Sequence, residues 1–283
     1  MWNQVKTVLL LSTLAGIALA IGYYFGGATG LTIALVIALA INFVTYFFSD
    51  KIVLMMYRAK EARKIDYPAL HKMVEELSKE AGIPKPKVYI IPTQTPNAFA
   101  TGRNPKHAVV AATEGILSLL TEKELRGVIA HEIGHVKNRD ILITTIAATI
   151  AAVISYVAAM ARWAAIFGGM RDRDGEGMGN ILGLIALSII TPIVAILIQL
   201  AISRAREYQA DKTGAQLSQD PEALASALQK LHQGVKQKPL RGGSPATSSL
   251  FIVNPFSGNF IVSMLSTHPP MEERVKRLKA MKV

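Results

Sequence analysis

The chain has 283 residues, 51% of them hydrophobic and 18% charged, with a formal net charge of +11 and no cysteine. It is more apolar than an ordinary soluble domain, and long enough for one large domain or two small ones. The missing cysteines exclude a disulfide framework and a Cys-based zinc site. The positive excess sits almost wholly in residues 50–140 and 203–283, with no basic stripe interleaved with aromatics, so nucleic acid is not an expected partner.

No charge occurs between Lys6 and Asp50, between Asp140 and Arg162, or between Glu176 and Arg204. Each stretch exceeds the roughly 20 residues a helix needs to cross a bilayer core. The first is long enough for two crossings, with Gly26 to Gly30 as the turn between them. Four spans are therefore expected, near 7–25, 30–48, 141–161 and 180–202. A cleaved signal peptide at Ala18-Leu19-Ala20 is a competing reading, weakened by the second apolar run that follows at once. For the third and fourth runs, buried helices of a soluble domain are the alternative. Lys51, Arg58, Lys60, Arg63 and Lys64 follow the second span, and Arg204, Arg206 and Lys212 follow the fourth. The positive-inside rule then puts both termini and both polar segments in the cytoplasm.

After the second span, 50–81 reads as helix, with Leu70, Met73, Val74 and Leu77 at helical spacing and Gly82 and Pro84 as the stop. Short β-like runs follow at 88–91, 98–100 and 108–111, separated by Pro, Gly and Asn. A helix is expected over 114–120. Thr121 and Glu124 then form a T-x-x-E capping box that starts the next one.

That helix carries His131-Glu132-Ile133-Gly134-His135. Residues four apart lie on one helical face, so the two imidazoles can share one metal ion while Glu132 stands beside them to move a proton. Zinc suits two such nitrogens, and the spacing is a metallopeptidase signature. Lys137 to Asp140 is polar and is expected at the lipid headgroup level. Asp172-Arg173-Asp174-Gly175 lacks the remaining ligands of a calcium loop and reads as a solvated turn. Pro192 and Gln199 lie in the fourth span, where proline marks a kink. Helix continues over 203–218, and Pro221 opens another to 235. Residues 236–249 read as a mobile loop, Phe251-Ile252-Val253 as an apolar island, and a basic helix starts at Met271.

A catalytic zinc usually has three protein ligands and one open position. The motif helix ends at the inner membrane face, and two spans go out and return, so the residues after Arg204 emerge at that same face. Glu207 is the nearest suitable carboxylate and the expected third ligand. Asp211, one turn further, is placed to accept a hydrogen bond from the second nitrogen of a ligating His. Solvated helix charges are the plainer readings of both.

The HEIGH motif before a hydrophobic hairpin, with Arg204-Ala205-Arg206-Glu207-Tyr208-Gln209-Ala210-Asp211 after it, resembles the HtpX branch of membrane zinc metallopeptidases, relatives of the CAAX prenyl endopeptidases. Asn97 to Gly102, Thr113 to Leu117, Asn254-Pro255-Phe256 and Thr267-His268-Pro269-Pro270 extend the resemblance through almost the whole chain. It implies one Zn2+ per chain on His131, His135 and Glu207, Glu132 as catalytic base, and a stress-induced protease of the cytoplasmic membrane that removes damaged membrane proteins.

The fold expected is a mainly α membrane protein: four transmembrane helices plus a cytoplasmic, zincin-like α+β protease domain assembled from two chain segments. Its parts are 1–49, a transmembrane hairpin; 50–140 and 203–283, the two halves of the protease domain; and 141–202, a second hairpin. His268, fixed by two prolines and matched by a His in the family, is the candidate oxyanion donor. Arg274 is a weaker one, since a basic helix normally presents its charges to solvent. Asn97 to Thr101 is either an edge strand that adds extended substrate or a plain structural edge. His71, His107 and His232 read as surface residues. An intramembrane protease is disfavoured by the charges crowding the motif. A membrane scaffold or transporter with a non-catalytic zinc site remains the rival class.

Overall fold

A computed structural model describes residues 2–144, 146–147, 150–151, 154–155, 157–159, 177–240, 251–253 and 268–282. The chain divides into two compact units, one of residues 1–45 and 144–202 and one of residues 46–143 and 203–283.

The N-terminal helix α1 (Trp2–Met56) is interrupted at Gly27, whose φ of 53° and ψ of −153° are non-helical. Only glycine takes that backbone without a steric penalty, and the interruption falls inside the expected turn. A long helix near the end of the apolar region, α5 (Gly177–Ser218), carries Pro192 in its interior. Among the described residues, its stretch Ser188–Ser218 is the one segment long and apolar enough to cross a membrane by length and composition. The other three expected spans are not identified in this way. Part of the third run, the turn at 172–175 and Asn254 to Phe256 lie outside the described residues.

The second unit is built on a four-stranded sheet of β1 (Lys60–Glu61), β2 (Lys87–Ile91), β3 (Ala98–Thr101) and β4 (Val109–Thr113), in the order β1-β2-β4-β3. β2 and β4 run parallel, with Val88 opposite Val110, and β3 runs antiparallel to β4, with Ala100 opposite Val110. β3 is thus one edge strand and β1 the other. Every residue of β3 and β4 is buried, so both strands read as apolar runs rather than alternating ones.

The segment 50–81 is not one helix. α1 stops at Met56, Arg58 takes a positive φ of 52°, β1 intervenes, and α2 (Pro68–Ala81) starts only at Pro68. Pro68 fits a first helical position, where its missing N–H costs nothing. α2 buries Leu70, Met73, Val74 and Leu77 and ends on Gly82 with φ 71°, the left-handed cap that glycine favours.

Two short helical elements lead to the site, α3 (Glu114–Leu119) and α4 (Glu122–Lys137). The Thr121–Glu124 capping box is formed in both directions. It satisfies orphan N–H groups at the start of α4, and Glu122 and Glu124 complement the helix dipole there. α4 packs on α2, on β3 and β4, and on α6 (Pro221–Gln237), which in turn packs on α7 (Met271–Lys279). Val128, Ile129 and Ile133 turn one face of α4 into the centre of the apolar core, leaving the motif's polar side chains on a buried opposite face.

Candidate active site

α4 meets the C-terminal part of α5 at unusually short range. A Cβ on Gly214 would stand 2.8 Å from both Cα and N of His131, and one on Gly134 would stand 3.3 Å from the Ala210 carbonyl oxygen. The glycines let the two backbones approach until Glu207 reaches the motif histidines.

There His131 Nε2 and His135 Nε2 face each other at 3.0 Å, and Glu207 lies 3.4 Å from His135 Nε2 through Oε1 and 3.8 Å from His131 Nε2 through Oε2. One ligand atom from each of the three residues falls within 4.8 Å of the others. Atoms bound tetrahedrally to one zinc at about 2.0–2.1 Å stand about 3.3 Å apart. The observed separations bracket that value, and two imidazole nitrogens with one carboxylate form a donor set that zinc accepts. The residues present therefore fit a single divalent ion.

Glu132 is 1% exposed, and among the described residues its Oε1 has no hydrogen-bond partner. Burial pushes its carboxyl up to about 7; the nearby His135 charge opposes this and Glu207 adds to it. The Ala100 backbone N–H bonds to the same carboxylate. A carboxyl poised near neutrality with an oriented, unengaged oxygen is suited to accepting and returning a proton.

The outer nitrogens of both imidazoles face carboxylates. His131 Nδ1 lies 3.0 Å from Asp211 Oδ1 and His135 Nδ1 lies 2.9 Å from Asp140 Oδ2. Burial lowers the pKa of His131, which Asp211 offsets in part. Burial also works against a charge on His135, but Asp140 and Glu207 beside it raise its pKa well above the ordinary value. His268 Nδ1 lies 3.2 Å from Glu207 Oε2. Arg274 Nη1 lies 3.2 Å from the same oxygen, and its Nε and Nη2 donate to the two oxygens of Asp211 at 2.8 and 2.7 Å.

All of the expected site residues, His131, Glu132, His135, Glu207, Asp211 and His268, are thus gathered at one place. Two readings need correction. Arg274 does not present its charge to solvent but is fully buried, on the helical stripe it shares with Val275 and Leu278. That spacing of apolar residues around it was the available signal. Asp140, expected as part of a polar solvated segment, is instead 2% exposed and joined to Arg206 as well as to His135. Nothing in its spacing marked it, because it lies past the end of α4. His71, His107 and His232 are not in the cluster; His71 Nε2 bonds the Ala62 carbonyl and His107 pairs with Arg103 and Asn104.

The β3 edge beside the site is partly taken by the chain itself. Ile252 N–H donates to the Ala98 carbonyl at 3.2 Å, and the Asn97 side chain accepts from Ala98 N–H at 3.1 Å and donates to the Val253 carbonyl at 2.7 Å. Phe251 anchors this segment edge-on against Tyr57 and Phe99. The apolar island at 251–253 is therefore a strap on the edge strand.

Comparison with known proteins gives a consistent picture. The family model described as peptidase family M48 matches residues 65–282. Proteins named "Protease HtpX homolog" are similar over nearly the whole chain. The one from Desulforapulum autotrophicum is 53% identical over 279 residues, covering 99% of this chain and 90% of its own length. That from Syntrophobacter fumaroxidans is 52% identical, covering 99% and 100%. That from Pyrococcus furiosus is 55% identical, covering 97% and 94%. Among solved structures, the crystal structure of S. mikatae Ste24p matches with a TM-score of 0.60 at 20% identity, over 98% of this chain and 65% of that one. That likeness concerns the fold.

Proposed function

The chain belongs to peptidase family M48 and is a metalloprotease of the HtpX type, and from this we propose that it is a zinc-dependent endopeptidase of the cytoplasmic membrane acting on damaged or misfolded membrane proteins. The observation that carries the reading is the convergence of His131, His135 and Glu207 around one point, with Glu132 Oε1 buried and unengaged beside it. The apolar run in α5 supports attachment to a bilayer. The charge distribution supports the domain division at 49, 140 and 202, with four spans and both termini on the cytoplasmic side.

In this reading His131 and His135, through Nε2, and Glu207 hold the ion. Zinc bound there would supply Lewis acidity, lowering the pKa of a water toward neutrality and polarising the scissile carbonyl. Glu132 accepts the proton of the attacking water and returns it to the leaving amine. His268, which meets Glu207 through Nδ1, is the hydrogen-bond donor where oxyanion charge develops, and the buried Arg274 guanidinium adds its charge behind Glu207. Asp211 keeps the His131 proton on Nδ1, so that Nε2 retains its lone pair.

The direct test is Glu132→Gln in the purified full-length protein, with metal content by mass spectrometry beside cleavage of a casein or model peptide. Zinc retained with proteolysis lost is the expected result. Undiminished proteolysis would leave Glu132 without its role. A scaffold with a non-catalytic ion would show no chelator-sensitive cleavage in the parent protein.

A further inference from the structure

Each motif imidazole is backed by the same three-part arrangement. Behind His131 stands Asp211, gripped by Arg274 through two hydrogen bonds. Behind His135 stands Asp140, gripped by Arg206, whose Nε donates to Asp140 Oδ1 and whose Nη2 reaches the same oxygen and the Asn138 carbonyl. Asp140 and Arg206 are as deeply buried as the first pair, at 2% and 3% exposed.

The chain bends unfavourably to build the second set. Arg139, just past the C-cap of α4, has a φ of 56°, a backbone that a residue with a Cβ adopts at a cost. That turn carries the chain from Asn138 at the cap of α4 to Asp140 in its contact with His135. Arg206 also immediately precedes Glu207. The bond that fixes Asp140 therefore fixes the turn of α5 bearing the third ligand as well.

We propose that Asp140 and Arg206 are a positioning dyad for the metal centre: Arg206 holds the Asp140 carboxylate, Asp140 holds the His135 ring with its proton on Nδ1, and His135 Nε2 is thereby set beside Glu207. This rests on the reading of His131, His135 and Glu207 as ligands. A ligating histidine whose outer N–H loses its acceptor can rotate and can carry its proton on the wrong nitrogen, and partners of this kind are worth about 10–100-fold in metal affinity. Arginine suits the task because its planar fork fixes a carboxylate in orientation, which a lysine does not.

The test compares the full-length parent protein with Asp140→Asn, Arg206→Gln, Arg206→Lys and the Asp140→Asn/Arg206→Gln double variant. Zinc affinity is measured by competition with a chromophoric chelator, the Co2+-loaded proteins are compared by visible absorption, and the metal-free proteins are melted. Expected is a loss of about 10–100-fold in zinc affinity for Asp140→Asn. Arg206→Gln should lose about 10-fold and Arg206→Lys less. The double variant should be no weaker than Asp140→Asn, and the Co2+ band should move in the variants that weaken zinc. Unchanged zinc affinity with a lowered metal-free melting point would reduce the pair to a structural ion pair and overturn the proposal, as would strictly additive losses. Should Asp140→Asn fail to fold, the Co2+ band and zinc affinity of Arg206→Lys decide. Failure of the ligand reading looks different: the parent protein would bind no stoichiometric zinc, or Glu207→Gln would bind it as tightly as the parent does.

Discussion

His131 Nε2 and His135 Nε2 confront each other at 3.0 Å inside the protein, with a Glu207 oxygen 3.4 Å from the second. A proton on one of the two nitrogens, or a metal ion between them, accommodates such a contact. In the metal-free protein a proton does so, since Asp140 and Glu207 hold the His135 pKa well above its ordinary value despite burial. Zinc must displace that proton. Apparent zinc affinity should therefore rise with pH between about 6 and 8, with protons released to the buffer. Calorimetry in buffers of different ionisation enthalpy measures this. Binding with no proton release and no pH dependence would contradict the arrangement.

Glu132 works only when ionised, and burial pushes its carboxyl up to about 7. The group must be deprotonated to accept a proton, so kcat/KM should climb as pH rises toward 7 and level above it. Glu132→Gln should lower kcat by about 100- to 10,000-fold, the range associated with losing a general base, while bound zinc is unchanged. A profile that falls across pH 6–8 in the parent protein runs against this assignment.

Glu124 holds α4 to α6. Its carboxylate accepts from Ser226 Oγ at 2.6 Å, Lys230 Nζ at 2.8 Å and Thr121 N–H at 2.9 Å. Burial opposes its charge, but Lys230, Ser226 and Thr121 together lower its pKa from 4.5 to about 2. A carboxyl depressed in the folded state contributes stability that is fully present above about 4.5 and lost as pH falls toward 2. Glu124→Ala should cost about 2 kcal/mol at neutral pH, a typical figure for hydrogen bonds to a charged group, and should flatten this acid limb. Denaturant unfolding at pH 7 and at about pH 2.5, inside the window between the two pKa values, measures both. Equal loss at the two pH values would assign the effect to packing instead.

Gly214 permits the helix crossing that builds the site. In Gly214→Ala the new methyl would stand 2.8 Å from His131 Cα and N, against backbone that has no flexible end to yield. Overpacking of this kind costs about 1–3 kcal/mol, and here it pushes Glu207 away from the histidines, so metal content should fall together with melting temperature. A variant of full stability and full zinc content would show that the crossing has room to spare.

Much of the site is legible in the sequence because it depends on local spacing. The i, i+4 pair of His131 and His135 and the Thr121 and Glu124 cap follow from helical geometry alone. Glu207 follows from the expectation that the chain returns to the same face after its apolar stretch. What the sequence hides is what depends on burial of charge. Arg206, Asp140 and Arg274 resemble ordinary interfacial or surface charges, and only pairing in three dimensions, Arg206 with Asp140 and Arg274 with Asp211 and Glu207, makes their burial tolerable. The strap at 251–253 was equally hidden. Three apolar residues in a polar stretch do not announce which strand they will pair with, and the Asn97 side chain at the start of the β3 edge bonds to Val253. The break between Met56 and Pro68 escaped because the charged residues between them, read as cytoplasmic residues following the second span, do not disturb a helical pattern.

The central claim is a single ion held by three named side chains. Crystals of the full-length protein, diffracted on both sides of the zinc absorption edge, test it most directly. The account predicts one anomalous peak per chain about 2 Å from His131 Nε2, His135 Nε2 and a Glu207 oxygen, with Glu132 nearby but not ligating. A peak at a different set of side chains, or Glu207 turned away while another protein group completes the coordination, would contradict it.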